Sequence, residues 1–214
     1  MFSTGIPRIT NTSSSSLLEI RELAFDDTGP FDLALQPGEC AGLSGPSGSG
    51  KTRLLRSIAD LDVHRGRMWL AGVDSADIPP PSWRRQVALL PAESAWWHDE
   101  VGTHFVEAPT PARLASLGFT ESVMGWRVDR LSSGEKQRLA VLRMLAMAPR
   151  VLLLDEPTAN LDEDNIGRLE ILIRDYLRAG NAASIWVSHD RRQLQRVAGR
   201  CYRLDEGHLV ETGA

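Results

Sequence analysis

Apolar and polar positions along this chain fall into two regimes. Leu17-Leu18-Glu19-Ile20-Arg21-Glu22-Leu23 and Phe31-Asp32-Leu33-Ala34-Leu35 alternate with a period near two, the mark of half-buried strands. Cys40 to Leu43, Val151 to Leu154 and Ser184 to Val187 are short, mostly apolar runs, as expected of strands covered on both faces. Arg67 to Leu70 and Gln86 to Leu90 add two strand-like segments, and Leu204 to Leu209 reads as a hairpin around Glu206-Gly207. Helical spacing takes over at Arg53 to Ala59 and, most clearly, from Asp162 to Arg178, where Ile166, Leu169, Ile173 and Leu177 share one stripe. From Ser94 to Val128 no strand pattern appears. Ala112 to Leu117 predicts a short helix ended by Gly118, in a stretch broken by Pro109, Pro111 and Gly125.

After Val151, buried strands alternate with amphipathic helices, which predicts parallel strands joined by crossover helices and an α/β fold. The expected organisation is a disordered polar tail over residues 1–16 and one domain over 17–214. Residues 17–93 and 149–214 would form its core, with a small α-helical insertion over about 94–148.

Composition narrows the function classes. The 214 residues are 42% hydrophobic and 24% charged, ordinary for a globular chain, and the net charge of -4 argues against a nucleic-acid partner. Cys40 and Cys201 have no metal-type spacing and fit a reducing compartment. No apolar run is long enough to cross a bilayer, and the N-terminus lacks a secretory pattern. The expectation is a cytoplasmic protein without direct membrane insertion, serving a membrane only through a partner.

The most informative stretch joins the Cys40–Leu43 run to the Arg53 helix. Gly45-Pro46-Ser47-Gly48-Ser49-Gly50-Lys51-Thr52 fits G-x-x-x-x-G-K-[ST] in the strand-then-helix setting that this pattern requires. The glycines let successive backbone N–H groups turn inward on a phosphate, and the helix adds its free N-terminal N–H groups. Lys51 would reach the β- and γ-phosphates, and Thr52 would ligate Mg²⁺. A plain Gly/Ser turn before a helix with one exposed Lys is the other reading.

Two further strand ends carry polar groups. Val151 to Leu154 runs straight into Asp155-Glu156, which puts two carboxylates at the C-terminal edge of a buried strand, where ligands of open α/β sheets bind. Asp155 would hold the metal and Glu156 would orient or deprotonate an attacking water; alternatively both merely cap a loop. His189 follows Ser184 to Val187 at the same edge and either contacts the γ-phosphate or its water, or is structural. Ser132-Ser133-Gly134-Glu135 opens another helix and would serve either as an ordinary N-cap or as a second anion site. Within one copy of the chain a second anion site has no evident task.

From about Leu17 onward the chain resembles the ATP-binding cassette (ABC) ATPase family. Gly45 to Thr52, Leu131-Ser132-Ser133-Gly134-Glu135 and Val151 to Glu156 occur in the family's order. Thr158-Ala159-Asn160-Leu161-Asp162 resembles its D-loop, and His189 its switch histidine. The resemblance implies an α/β P-loop NTPase core, with a mainly parallel sheet flanked by helices, an N-terminal antiparallel β subdomain and the helical insertion. It implies hydrolysis of ATP with Mg²⁺, held by Thr52 and Asp155, with Lys51, Glu156 and His189 as catalytic residues. It also implies a head-to-tail homodimer in which Ser132, Ser133, Gly134 and Glu135 of one copy close on the nucleotide of the other, with Asp162 at the interface. The driven partner would be a separate membrane permease, placing the chain at the inner face of the cell membrane. The layout resembles that of small bacterial single cassettes, including a metal-export type.

The chain also departs from the family. Ala92 and then Glu93 stand where a Gln is usual after the strand ending at Leu90-Pro91, which predicts weaker coupling or slower basal turnover. Ser133 replaces a frequent Gly but keeps its N–H. Phe25 either stacks on adenine or belongs to the core. Of Trp96-Trp97, one lines the partner groove or both pack under the insertion. Rival readings are a non-transport or regulatory ABC ATPase with weakened hydrolysis, and a P-loop kinase, which would leave the Ser132 turn, Asp162 and His189 without tasks.

Overall fold

A computed structural model describes residues 16–212, so the tail expected over 1–16 lies, but for Ser16, outside the described residues. Its strands are β1 (Leu18–Phe25), β2 (Thr28–Leu35), β3 (Cys40–Ser44), β4 (Arg65–Leu70) and β5 (Val73–Asp74). β6 (Val87–Leu90), β7 (Val151–Asp155), β8 (Ala183–Val187), β9 (Arg200–Asp205) and β10 (His208–Thr212) follow. The helices are α1 (Lys51–Ile58), α2 (Pro80–Gln86), α3 (Pro111–Ser116), α4 (Ser133–Ala146), α5 (Glu163–Gly180) and α6 (Arg191–Val197).

Six strands form the main sheet in the order β10-β9-β3-β8-β7-β6. All of its pairings from β9 to β6 are parallel, and only β10 runs antiparallel, folded back on β9. Strand polarity explains the composition. Every residue of β7 and of β8 is buried, because helices cover both faces. The period of two then sorts side chains between two cores. Leu153, Ile185 and Leu43 face Leu54, Leu55 and Ile58 of α1, while Leu152, Leu154 and Trp186 face α4 and α5. Burying each such side chain stabilises the fold by about 1.5–3 kcal/mol.

The alternating N-terminal runs form a separate four-stranded antiparallel sheet, β2-β1-β4-β5. β1 is bulged at Glu22, which takes a φ of 52° and donates its N–H to Asp32 Oδ1 at 2.7 Å. Phe25 is 3% exposed and packs on Phe31, so it belongs to the core.

Residues between β6 and β7 contain no strand. They make 3-10 turns at Gly102–His104, Glu121–Gly125 and Val128–Arg130, the six-residue α3, and then α4. Thr110 caps α3 with Pro111 at its first position, and Leu117 followed by Gly118 at φ 79° ends it. Two helices escaped the sequence pattern. α2 starts on a run of prolines and buries only Trp83, whose Nε1 donates to Ile58 O at 2.9 Å. α6 is too short to show a period.

Candidate functional site

Strands β3, β7 and β8 end side by side, and their next residues converge. After β3 the loop turns through Gly45 at φ 151°, Gly48 at 79° and Gly50 at 99°. A Cβ on Gly45 would lie 2.2 Å from Leu204 O, so no other residue fits there. Gly50 is the N-cap of α1, and Lys51 is its first residue. Lys51 Nζ donates to Gly45 O and Pro46 O, both at 2.9 Å, folding the side chain back over the loop. Burial holds this ammonium below its ordinary range, while Glu156 and Asp155 pull the other way.

Thr52 Oγ1 donates to Asp155 Oδ2 at 2.7 Å, which joins the start of α1 to the end of β7. Asp155 is buried. The two groups offer hard oxygen ligands of the kind a small divalent cation takes. Glu156 follows at φ 48° and donates its N–H to Val187 O at 3.2 Å, so the turn out of β7 is tied to β8. His189 Nε2 stands 3.2 Å from Glu156 Oε1, which is buried and has no hydrogen-bond partner. Burial raises the Glu156 carboxyl above its ordinary value, with Asp155 adding to the rise and His189 and Lys51 opposing it.

A cleft of about 260 Å³ runs along this edge, lined by Ser44, Gly45, Pro46, Ser188, His189, Arg191 and Arg203. Arg191 and Arg203 carry no motif and were not anticipated; no local signal at the start of α6 or within β9 marks them. Larger hollows lie elsewhere, about 820 Å³ against the antiparallel sheet and about 600 Å³ between α5 and α6. Both are also lined by charged side chains, among them Arg21, Asp32 and Arg67 in the first and Glu39, Glu170 and Arg196 in the second, but neither includes the glycine loop or His189, so motif position rather than size picks out the site.

The Ser132 turn is a complete capping box at the start of α4. Ser132 Oγ accepts from Glu135 N at 3.2 Å, and Glu135 Oε2 accepts from Ser132 N and Oγ, both at 2.9 Å. The turn leans on the segment before α5, since a Cβ on Gly134 would lie 2.7 Å from Asn160 O. Asp162 caps α5, its Oδ1 accepting from Asn165 N at 2.8 Å. No hydrogen bond among the described residues links Ser132, Ser133, Gly134 or Glu135 to the Gly45–Thr52 loop.

Ala92 and Glu93 follow β6 after Pro91. The loop is anchored by the buried Gln137, whose Nε2 donates to Pro91 O at 3.3 Å. Ala92 is half-buried and Glu93 exposed. Trp97 is 64% exposed and Trp96 half-buried, so the adjacent indoles differ in exposure. A buried network also went unforeseen: Gln193 of α6 bonds Thr158 at 3.0 Å and Glu170 of α5 at 3.0 Å, tying the segment after Glu156 to the helix after His189.

A glycine cradle at a helix start, a hydroxyl paired with a strand-end carboxylate, and a second acid beside a histidine define a P-loop nucleotide-hydrolysing α/β protein. A family model described as ABC transporter matches residues 29–159. The chain is 33% identical over 179 residues to the Escherichia coli (strain K12) "Probable iron export ATP-binding protein FetA", covering 78% of this chain and 80% of that protein. It is 33% identical over 222 residues to the "Sulfate/thiosulfate import ATP-binding protein CysA" of Bordetella bronchiseptica (strain ATCC BAA-588 / NCTC 13252 / RB50), covering 92% of this chain but 62% of that one. The fold matches the structure of a bacterial Atm1-family ABC exporter with ATP bound at a TM-score of 0.80 and 22% identity, over 94% of this chain and 39% of that one. The chain belongs to the ABC transporter family. It is an ATP-binding, ATP-hydrolysing subunit of that family.

Proposed function

We propose that two copies of this chain pack head to tail around two molecules of Mg-ATP, and that closing and reopening the pair drives a separate membrane permease from the cytoplasmic side. The relatives support a transport role in either direction, one being described as an export subunit and another as an import subunit.

The observation carrying this reading is the separation of two phosphate-seeking features. Gly45–Thr52 and Asp155–His189 share one edge, while the Ser132–Glu135 turn makes its contacts with itself and the Asn160 segment. A second copy gives that turn a ligand, the γ-phosphate held by the first.

In this scheme the backbone N–H groups of the Ser47–Gly50 turn hold the β-phosphate, and Lys51 leaves its two carbonyls for the β- and γ-phosphate oxygens. Thr52 and Asp155 would hold Mg²⁺. Two protein oxygens fit an ion that keeps several waters and takes phosphate oxygens as its other ligands. The ion would supply neutralisation of charge on the phosphates. Glu156 accepts a proton from the attacking water as its oxygen bonds to the γ-phosphorus. The bond to the bridging oxygen breaks, and ADP leaves with that electron pair. His189 steadies the Glu156 carboxylate and the γ-phosphate oxygens.

The test is turnover per chain as a function of chain concentration at saturating Mg-ATP. The scheme requires specific activity to rise with concentration and level off once pairs form. A constant specific activity at every dilution would show that one copy suffices.

A further inference from the structure

Between β6 and α3 the chain forms a loop whose buried polar centre is one imidazole. His104 Nε2 lies 3.0 Å from the backbone N of Trp97 and 3.0 Å from that of His98. Its Nδ1 lies 3.0 Å from Glu100 O. Backbone N–H groups only donate and a carbonyl only accepts, so one species satisfies all three contacts: the neutral ring with its proton on Nδ1. The rings of Trp96 and Trp97 meet the imidazole edge-on at 4.7 and 4.8 Å, and His98 at 5.1 Å. From α4, Arg143 lies over both indoles at 4.6 and 4.9 Å and donates to Ala95 O at 3.0 Å.

We propose that neutral His104 is the positioning residue of the Trp96–Trp97 loop, and that a proton on its Nε2 releases that loop. With Nε2 protonated, both backbone N–H groups face another donor and lose their acceptor. The new cation also sits beside Arg143, which makes no ion pair among the described residues. The groups facing the ring are few. His98 comes from its own loop and Arg143 from α4, while Glu100 contributes its carbonyl. Across from it the Glu121–Gly125 turn brings Met124 and the buried Val123, and its acid, Glu121, is exposed.

Burial is the largest influence holding His104 below its ordinary value of 6.5; the Glu100 and Val101 contacts oppose this, and Arg143 and His98 reinforce it. The ordered loop therefore binds fewer protons than the released one. Its stability is complete above pH 6.5 and is lost as the pH falls through the lowered value. The latch follows Ala92-Glu93 and presents Trp97 to solvent, so release would alter the face offered to a permease. Only that consequence rests on the reading under Proposed function.

The test follows indole fluorescence and amide protection at Trp97 and His98 in the full chain from pH 8 to 5, with Trp97→Phe assigning the emission. His104→Gln offers an uncharged acceptor in place of Nε2. In the wild type, protection should fall on the order of tenfold as the loop releases below pH 6.5, with a matching change in emission. His104→Gln should keep its protection and show no transition, and His104→Phe should be unprotected throughout. A wild type that is flat over this range overturns the proposal. So does His104→Gln titrating like the wild type, or a transition abolished by His98→Gln. ATP-dependent pairing is measured in the same samples; its failure would count against the dimer scheme and leave the latch untouched.

Discussion

Glu156 Oε1 and His189 Nε2 stand 3.2 Å apart, one just beyond β7 and the other just beyond β8. That carboxylate oxygen is buried and makes no hydrogen bond. An acid raised by burial and left with a free lone pair is suited to take a proton. Glu156→Gln should lower ATP turnover by about 100-fold or more and let the ATP-bound pair accumulate. Turnover assays and size-exclusion chromatography with ATP would read both effects. An active variant would remove Glu156 from the proton transfer.

The same carboxyl sets an acid limb. Its value is raised above the ordinary 4.5, so the proton-accepting form is lost at a pH where a free Glu would still be ionised. The sign for stability is opposite: ionised Glu156 costs the fold free energy, and that cost disappears as the pH falls through the raised value. kcat should therefore drop about tenfold per pH unit below a midpoint above 4.5, without matching loss of fold by circular dichroism.

Lys51→Met removes the ammonium that now spans Gly45 O and Pro46 O. ATP affinity should fall by about 10- to 100-fold, the effect of losing a charged phosphate contact. The change should be visible in nucleotide titrations of the unpaired chain.

Ser132→Ala takes away one half of the capping box on α4, so stability should decrease by about 1 kcal/mol in denaturant unfolding. If this turn serves the partner's nucleotide, the variant also loses cooperative turnover while the unpaired chain binds ATP as before. Unchanged cooperativity would leave the turn with a capping role alone.

Ala92→Gln restores the side chain usual after the strand that is here β6. Gln137 already anchors this loop through Pro91 O, so the replacement enters a built turn. Turnover should rise and its Mg²⁺ dependence should sharpen. No change in either would show that Ala92 does not limit the rate.

Much of this molecule could be read from residue order. The Gly45–Thr52 loop, the acids after Val151–Leu154 and the Ser132 cap are local patterns, set by φ preferences, strand period and capping chemistry. α2, α6 and the 3-10 turns could not be read, because prolines and short length erase the helical period. Phe25 was open between core and ligand, since an aromatic at the end of an alternating strand satisfies both; packing on Phe31 decided for the core.

The sequence by itself determined the kinds of element, their order, and the chemistry carried at each strand end, because dihedral preference and side-chain period act over a few residues. Tertiary structure alone decided which of those ends meet. Thr52 reaches Asp155 across 103 residues, and Gln193 reaches Thr158 across 35. His104 finds the Trp97 and His98 amides only once its loop has closed beneath α4. Such meetings depend on sheet order and on how helices cover it, which the folding of the whole core selects by burying the most apolar surface with the fewest unpaired polar groups.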